Sequence, residues 1–382
     1  MGGGVRHGPL SDSVCEKRFG ALLCSALKKT GLAVLFLAAL VVVLVLAYVG
    51  YLFAADHRVE DWLPLEVQGS ASAVAETGVR YRAMSYNIGF GAYEPDFSFF
   101  MDGGKFGRAF SKARVETNTA NILDYAAARE NDIYFFQEVD RDGDRSYHVD
   151  QSAILQAGLP QCSSVWAENW DSPYFIVPFR QPHGKNLTGL LQLSRFRVEE
   201  ALRRSLPRET GPMRIADLDR CYSVSRVPVE NGRELVLYNC HLSAYTTDGT
   251  IAVSQLKMLL EDMAAEYRAG NYALCGGDFN IDLLGDSSAY FGVSGERYSW
   301  NRPFPEEMLE GTGICLAAPL DESAPVPTCR GTDTPIQPDM FVTVLDGFLV
   351  SENIVVESTL TLDTGFAYSD HNPVELTFRL AD

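Results

Sequence analysis

From Tyr81 to the end of the chain, short apolar runs repeatedly give way to stretches with apolar residues three and four apart, the pattern of strands interleaved with helices. "YRAMSYNIG" from Tyr81 reads as a strand. "SKARVETNTANILDYAAARE" reads as a helix capped by Ser111, with Val115, Ala120, Ile122, Leu123 and Ala126 near one face. "DIYFFQE" is a short buried strand ending in polar residues, a helix covers "DQSAILQAG", and strands follow at "SSVWAENW" and "GLLQLSRFRV". "CYSVSRVPVENGRELVLYNCHL" is a hairpin turning at Asn231-Gly232, a pair favoured in tight two-residue turns. "GTIAVSQLKMLLEDMAAEYRAG" is the best amphipathic helix and ends at Gly270. The strand "YALCGGDFNI", a Pro-rich irregular region to about residue 338, and the strands "LDGFLVS" and "PVELTFRL" complete the pattern. Hairpins with helices between them predict packed sheets flanked by helices, not a simple parallel wound sheet.

Ahead of this pattern stands a different one. Gly31 to Ala55 carries no charge and is long enough to cross a bilayer as a helix. A cleaved signal peptide has a shorter apolar region and small residues before its cut, whereas Leu52 and Phe53 stand at those places, so the segment reads as an uncleaved anchor. The chain thus divides into an N-terminal segment 1–29, a transmembrane helix 30–55, a small and polar juxtamembrane linker 56–79, and one domain at 80–382. Arg6, Lys17, Arg18, Lys28 and Lys29 precede the helix, and Asp56, Glu60 and Asp61 follow it. This bias puts the N-terminus in the cytoplasm and the large domain outside a cell membrane crossed once. "MGGGVR" is a poor myristoylation site because Arg6 holds the expected Ser or Thr position.

Charge narrows the partners. The chain's net charge is −18, and five basic against two acidic residues among the first 29 leave −21 on the remainder. Such a surface repels polyanions unless metal or local cations hold them, which disfavours nucleic acid without removing it. Of eight cysteines, Cys15 and Cys24 precede the span. Cys315 and Cys329 flank a Pro-rich loop and are candidates to pair, Cys240 and Cys275 read as small core residues, and none has metal spacing.

The chemistry is suggested by how the strands end. Asn87, Gln137-Glu138, His241, Asp278 with Asn280, Asp346, and Asp370-His371 each close or open a strand. Singly, each has a structural reading: a turn amide, a solvated strand end, a satisfied histidine, a glycine turn. Asp346 inside "VTVLDGFLV" resists it, because a buried carboxylate is costly unless paired or bound to a cation. Converging strand ends would form one cleft. Oxygen ligands such as Glu138 suit Mg²⁺ or Mn²⁺ better than Zn²⁺, and a His-carboxylate pair can move a proton from water. The reaction implied is hydrolysis of a phosphate ester. Walker, dinucleotide-binding, nucleophile-elbow and "HExxH" motifs are all missing from the sequence.

In order, "SYNIG", "FFQEVD", "LLQLSRF", "NCHLSAY", "GGDFNID", "LDGFLVS" and "SDHNPVELTF" span Tyr81 to Leu380. At these motifs the chain resembles the endonuclease/exonuclease/phosphatase superfamily. The resemblance implies a four-layer α-β-β-α sandwich, an α/β fold of two packed mixed sheets flanked by helices, preceded here by one transmembrane helix. It implies Glu138 as the principal metal ligand with Asn87 beside it, and Asp278 and Asn280 orienting water and phosphate. His241 would contact the phosphate or support the departing oxygen. Asp346 would orient His371, general base or phosphate partner, and Asp370 would complete the metal or phosphate shell. Gly347 departs from the family, which often carries an aromatic or branched residue there.

Two segments add candidates for substrate. The aromatic, glycine-rich stretch after Asn87 reads as a surface loop or as a substrate wall supplied by Tyr93, Phe97, Phe99 and Phe100. "DRDGDRSYHVDQ" offers Arg141, Arg145 and His148 as phosphate contacts, Arg145 first. The expectation is a membrane-anchored Mg²⁺ (or Mn²⁺) phosphoesterase acting outside the cytoplasm, on a phospholipid or small organic phosphodiester. An extracellular nuclease and a non-catalytic cell-surface binding module are the alternatives. The partners implied are a phosphate-ester substrate and the lipid bilayer; no protein partner is predicted.

Overall fold

The central strands are apolar on both faces because one face meets a second sheet and the other meets helices. The computed structural model describes residues 1–382 except 4–11, 209, 212, 213, 215, 216, 245–249, 294–300, 322 and 323. Arg6, and Tyr245 of the "NCHLSAY" motif, thus lie outside the described residues. The chain divides into two units, Met1–Ala55 and Asp56–Asp382. The first is built on the helix α1 (Asp12–Ala54), which continues unbroken through the end of the segment expected before the span. With a mean hydropathy of 3.2 over its most apolar window, it is long and apolar enough to cross a membrane.

In the second unit the strands are β1 (Leu63–Pro64), β2 (Val67–Gln68), β3 (Arg80–Asn87), β4 (Ile133–Gly143), β5 (Ser163–Asp171), β6 (Asn186–Ser194), β7 (Glu200–Ser205) and β8 (Cys221–Pro228). They continue as β9 (Glu234–His241), β10 (Tyr272–Asp278), β11 (Ile314–Ala317), β12 (Cys329–Arg330), β13 (Val342–Thr343), β14 (Asp346–Ser351), β15 (Ile354–Thr361) and β16 (Val374–Leu380). The helices are α2 (Lys112–Ala128), α3 (Gln151–Gly158), α4 (Thr250–Arg268) and the short α5 (Ser287–Phe291).

Two seven-stranded mixed sheets form, ordered β15-β16-β3-β4-β6-β5-β2 and β1-β7-β8-β9-β10-β14-β11, with a small pair β12-β13. Each large sheet has one central parallel pair, β3 with β4 and β9 with β10. Phe135, Leu237, Leu274, Phe348, Leu376 and Phe378 fill the space between the sheets. Outside, α2 and α3 cover the first sheet through Ile122, Ala126 and Leu155. On the other side α4 covers the second through Leu256, Leu259 and Met263, giving the four-layer sandwich. Ser111 caps α2 as expected, accepting from the Arg114 amide.

Three expectations change. The segment 56–79 is not a free linker, since β1 adds to β7, β2 adds to β5, and Ala75 is fully buried. Its alternation is too short to show in sequence, and its pairing partners lie more than ninety residues away. Cys315 and Cys329 do not pair, because Cys315 is exposed on β11 while Cys329 is buried on β12, in a different sheet. The hairpin between β8 and β9 is wider than a two-residue turn, with Gly232 donating to the Val229 carbonyl and taking the positive φ of 82°.

The pairings place five strand termini at one end of the sandwich. β3, β4, β9 and β10 run toward that end and β14 starts from it, with Asp278 paired to both His241 and Asp346. β5 runs the same way as β4, each being antiparallel to β6, and Glu168 and Val139 both pair with Gly189.

Candidate active site

The corner begins where β10 meets β9 on one side and β14 on the other. Register alone sets His241, Asp278 and Asp346 in one row. No side chain would fit between β9 and β10 at Gly277, whose Cβ would meet the Cys240 carbonyl oxygen at 2.3 Å. That close approach keeps the row tight, and His241 Nε2 lies 3.4 Å from Asp278 Oδ2. Gly347 is accommodated by Leu283, whose Cδ1 would be 2.7 Å from a Cβ there.

The first sheet closes the corner from the opposite side. Asn87, last residue of β3, donates to Asp278 Oδ2 at 3.0 Å and to Glu138 Oε1 at 3.4 Å. Glu138 sits in a bulge of β4 between Phe136 and Val139 and adopts φ 54°, while Asn280 adopts φ 50°. Left-handed backbone at non-glycine residues is costly and concentrates at functional sites. Asn280 is fixed there by its amide to Asp278 Oδ1 (2.9 Å) and by its side chain to the Leu242 carbonyl (2.8 Å).

The third component is the turn before β16. Ser369 Oγ donates to the Asn87 carbonyl at 2.8 Å and accepts from the His371 amide at 3.2 Å. Gly89, at φ 51°, leaves room for this turn, since a Cβ there would lie 3.0 Å from Asp370 Oδ1 and 2.5 Å from the Tyr93 ring. His371 Nδ1 lies 2.8 Å from Asp346 Oδ2, and its Nε2 is 3.7 Å from Asp278 Oδ2.

Burial controls the electrostatics. Asp278 is pushed up to about 6 by burial and by Asp346. Asp370 is also raised to about 6, by burial and by Glu138. His241 is held well below its ordinary value by burial, Arg220, His371 and Arg145, so it is a neutral imidazole. Burial would lower His371 too, but Asp346, Cys329 and Asp278 override it and hold the ring well above its ordinary value. Crowded carboxylates that resist ionising, together with the buried, unpartnered Asp346 Oδ1, mark a negative pocket that a divalent cation would relieve. Asp278, Asp346 and His371 bring ligand atoms within 4.8 Å of one another, with His371 Nδ1 and Asp346 Oδ2 taken up by each other. Glu138 and Asp370 line the same cleft and offer further hard oxygens for such an ion.

The expected constellation is brought together with one exception. Gln137 turns between the sheets, donating to Asn239 Oδ1 at 2.8 Å, and serves packing. Tyr93 lines the cleft, whereas Phe97 and Phe99 are buried in an aromatic cluster behind it. Arg145 does not line the cleft. It is buried, grips Asp140 with two bonds of 2.8 and 3.0 Å, and stacks 4.0 Å over Phe90, so it reaches the corner through its 3.8 Å approach to Glu138 and its charge on His241. Arg141 stacks on Trp166, and His148 is exposed, 2.5 Å from Asp142. The cationic lining comes instead from Arg220 and Arg330, both buried, with Asp102 and Thr332 at the same cleft. Arg330 donates to the Tyr93 and Glu94 carbonyls, and its backbone amide to that of Asp370. Neither arginine lies in a patterned stretch, so no sequence signal pointed to them.

Comparisons with known proteins agree with this architecture. Solved structures with a similar fold include an endonuclease/exonuclease/phosphatase from Beutenbergia cavernae (17% identity, TM-score 0.53, 79% of this chain and 72% of that one). The human Nocturnin catalytic domain with bound sulfate (18%, 0.51, 83% and 98%) and ANGEL2, a 2',3'-cyclic phosphatase (16%, 0.52, 83% and 98%), are similar as well. A search of curated proteins finds no match. The profile of the Endonuclease/Exonuclease/phosphatase family matches residues 84–371, which holds every strand end of the corner, and the chain belongs to that family.

Proposed function

We propose that the chain is a membrane-anchored phosphoesterase dependent on Mg²⁺ (or Mn²⁺), whose catalytic unit lies outside the cytoplasm. Its substrate is a phosphodiester of a phospholipid or small organic phosphate. The observation that carries this reading is the His371–Asp346 pair at 2.8 Å, aimed at Asp278 beside Glu138 and Asp370. Asp346 positions the imidazole by accepting from Nδ1, which leaves Nε2 facing the cleft. Nε2 exchanges a proton with the attacking water or holds a phosphoryl oxygen. Asp278 and Asn280 orient water and phosphate, and neutral His241 supports the departing oxygen. A cation held by Glu138 with Asn87, its shell completed by Asp370, would supply charge on the phosphoryl oxygen. Asn87 now directs its amine toward the carboxylates and its Oδ1 toward the Gly89 amide (3.0 Å), so serving as a ligand requires the amide to turn over. Tyr93 walls the cleft; Arg145 acts from behind, through Asp140 and Glu138; His148 stays on the surface.

The −21 charge outside the first 29 residues supports a small or lipid-borne ester over nucleic acid. The anchor reading is supported by α1, and the orientation by the Lys/Arg bias before it. The test is hydrolysis of a chromogenic phosphodiester, single-stranded DNA and phospholipid by the full chain in detergent, with Mg²⁺ and with chelator. Wild type should cleave the diester and phospholipid only with metal, and Glu138→Ala and His371→Ala should each lose about 10²-fold or more. Cleavage of DNA alone would move the reading to a nuclease, and absence of metal-dependent hydrolysis across the panel would sink the enzyme.

A further inference from the structure

One loop departs from the character of the unit that carries it. Between Ser172 and Lys185 the chain holds no acidic residue. It exposes Phe179 at 80%, Val177 at 46% and Tyr174 at 38%, with Met101 at 50% on the segment packed beside it. Phe175 and Gly184 exchange backbone hydrogen bonds of 3.0 Å, making a neck beneath the apolar tip. The neck rests on residues 99–108: His183 packs on Phe99 and Phe100, its Nδ1 lies 2.5 Å from the Gly107 carbonyl, and Arg108 donates to the Pro182 carbonyl at 2.8 Å. That same segment reaches the cleft, because the Phe99 amide donates to the Thr332 carbonyl at 2.7 Å and Asp102 lines the cleft beside Thr332.

The start of the unit is fixed at the same end. α1 finishes at Ala54, Asp56 pairs with Arg208 at 2.8 Å, and Arg58 with Asp219 at 3.2 Å. Asp219 adjoins Arg220 of the cleft lining. His57 lies 3.7 Å from Glu168, which is level with Val139 in the sheet, and β5 runs from Glu168 directly into the apolar loop. The start of the unit, the apolar tip and the cleft therefore share one end of the sandwich. An isolated exposed Phe explains nothing, but an apolar tip flanked by Arg180, Lys105 and Arg108 in an otherwise acidic unit suits an anionic lipid interface.

We infer that residues 172–185 form a lipid-docking wedge. Val177 and Phe179 enter the interfacial layer of the bilayer that α1 crosses and hold the cleft over the phosphate ester of a lipid in that layer. The substrate half of this inference rests on the phosphoesterase reading; the docking half does not. The test uses the full chain reconstituted in vesicles of phosphatidylcholine and sphingomyelin with roughly a fifth phosphatidylglycerol. Phe179→Trp fluorescence, read as the difference from wild type, should be quenched by acyl-brominated lipid and shielded from aqueous iodide. Phe179→Asp combined with Val177→Asp should lower cleavage of vesicle lipid about tenfold or more while preserving turnover of a water-soluble chromogenic diester. Iodide quenching without lipid quenching would overturn docking, and shielding from both quenchers would assign the tip to a protein partner instead. Cleavage of the soluble ester but of no vesicle lipid would overturn the lipid substrate. If neither is cleaved, the phosphoesterase reading fails, while the quenching result still decides the wedge.

Discussion

His371 and His183 illustrate how opposite surroundings act on one side chain. At His371 the buried Asp346 carboxylate wins over desolvation and raises the ring's proton affinity well above its ordinary value. At His183 there is no such partner. Burial first, then Arg145 and Arg108, lower it to about 4, opposed by the Gly107 carbonyl and Asp140. Because the folded value lies below the ordinary 6.5, the unfolded chain binds the proton more tightly between the two. The stabilisation is complete above about pH 6.5 and is lost as pH falls through about 4, reaching about 3 kcal/mol below both values. Thermal melting of the full chain across that window should show this acid loss. His183→Asn, which keeps a donor for Gly107, should flatten it at the cost of a lower melting temperature at pH 7. An unchanged slope would place the acid-sensitive group elsewhere.

At the scale of elements, the site is a consequence of strand spacing. Gly277 lets β9 and β10 approach where His241 and Asp278 face each other, and Gly277→Ala must push against the Cys240 backbone. The expected result is destabilisation by about 1–3 kcal/mol in denaturant melts and a fall in turnover larger than the loss of folded protein explains. This level was readable in advance, because a strand that ends in Asp, Asn or His announces both its length and its chemistry. Asn87, His241 and Asp278 close their strands and Asp346 opens one, whereas β4 runs five residues past Glu138 to Gly143, so the short strand expected there was too short. Arg145 was not legible, because its partner Asp140 sits five residues away in the same bulged strand-loop, and sequence cannot distinguish a guanidinium offered to substrate from one already gripped. The β1 and β2 segments were hidden by being two residues long.

For the molecule as a whole, the segment after α1 is held by charge. Asp219 is buried with Arg203, which it meets at 3.0 Å, and it also accepts from Arg58 and from the Val59 amide at 2.8 Å. Asp219→Ala leaves the Arg203 guanidinium buried without its carboxylate, which should cost about 3–5 kcal/mol. Limited proteolysis should then cut between residues 56 and 68 in the variant and spare wild type; resistance equal to wild type would show that β1 and β2 suffice to hold the segment. On the proposed function, this fastening would also bear on how the chain meets its substrate. Asp56, the first residue of the unit, is already bound to Arg208. On the proposed anchoring by α1, a bilayer substrate would be searched for in two dimensions. Turnover of a bilayer lipid would then follow its mole fraction in the membrane plane, and diluting the suspension with buffer would leave the rate per enzyme untouched.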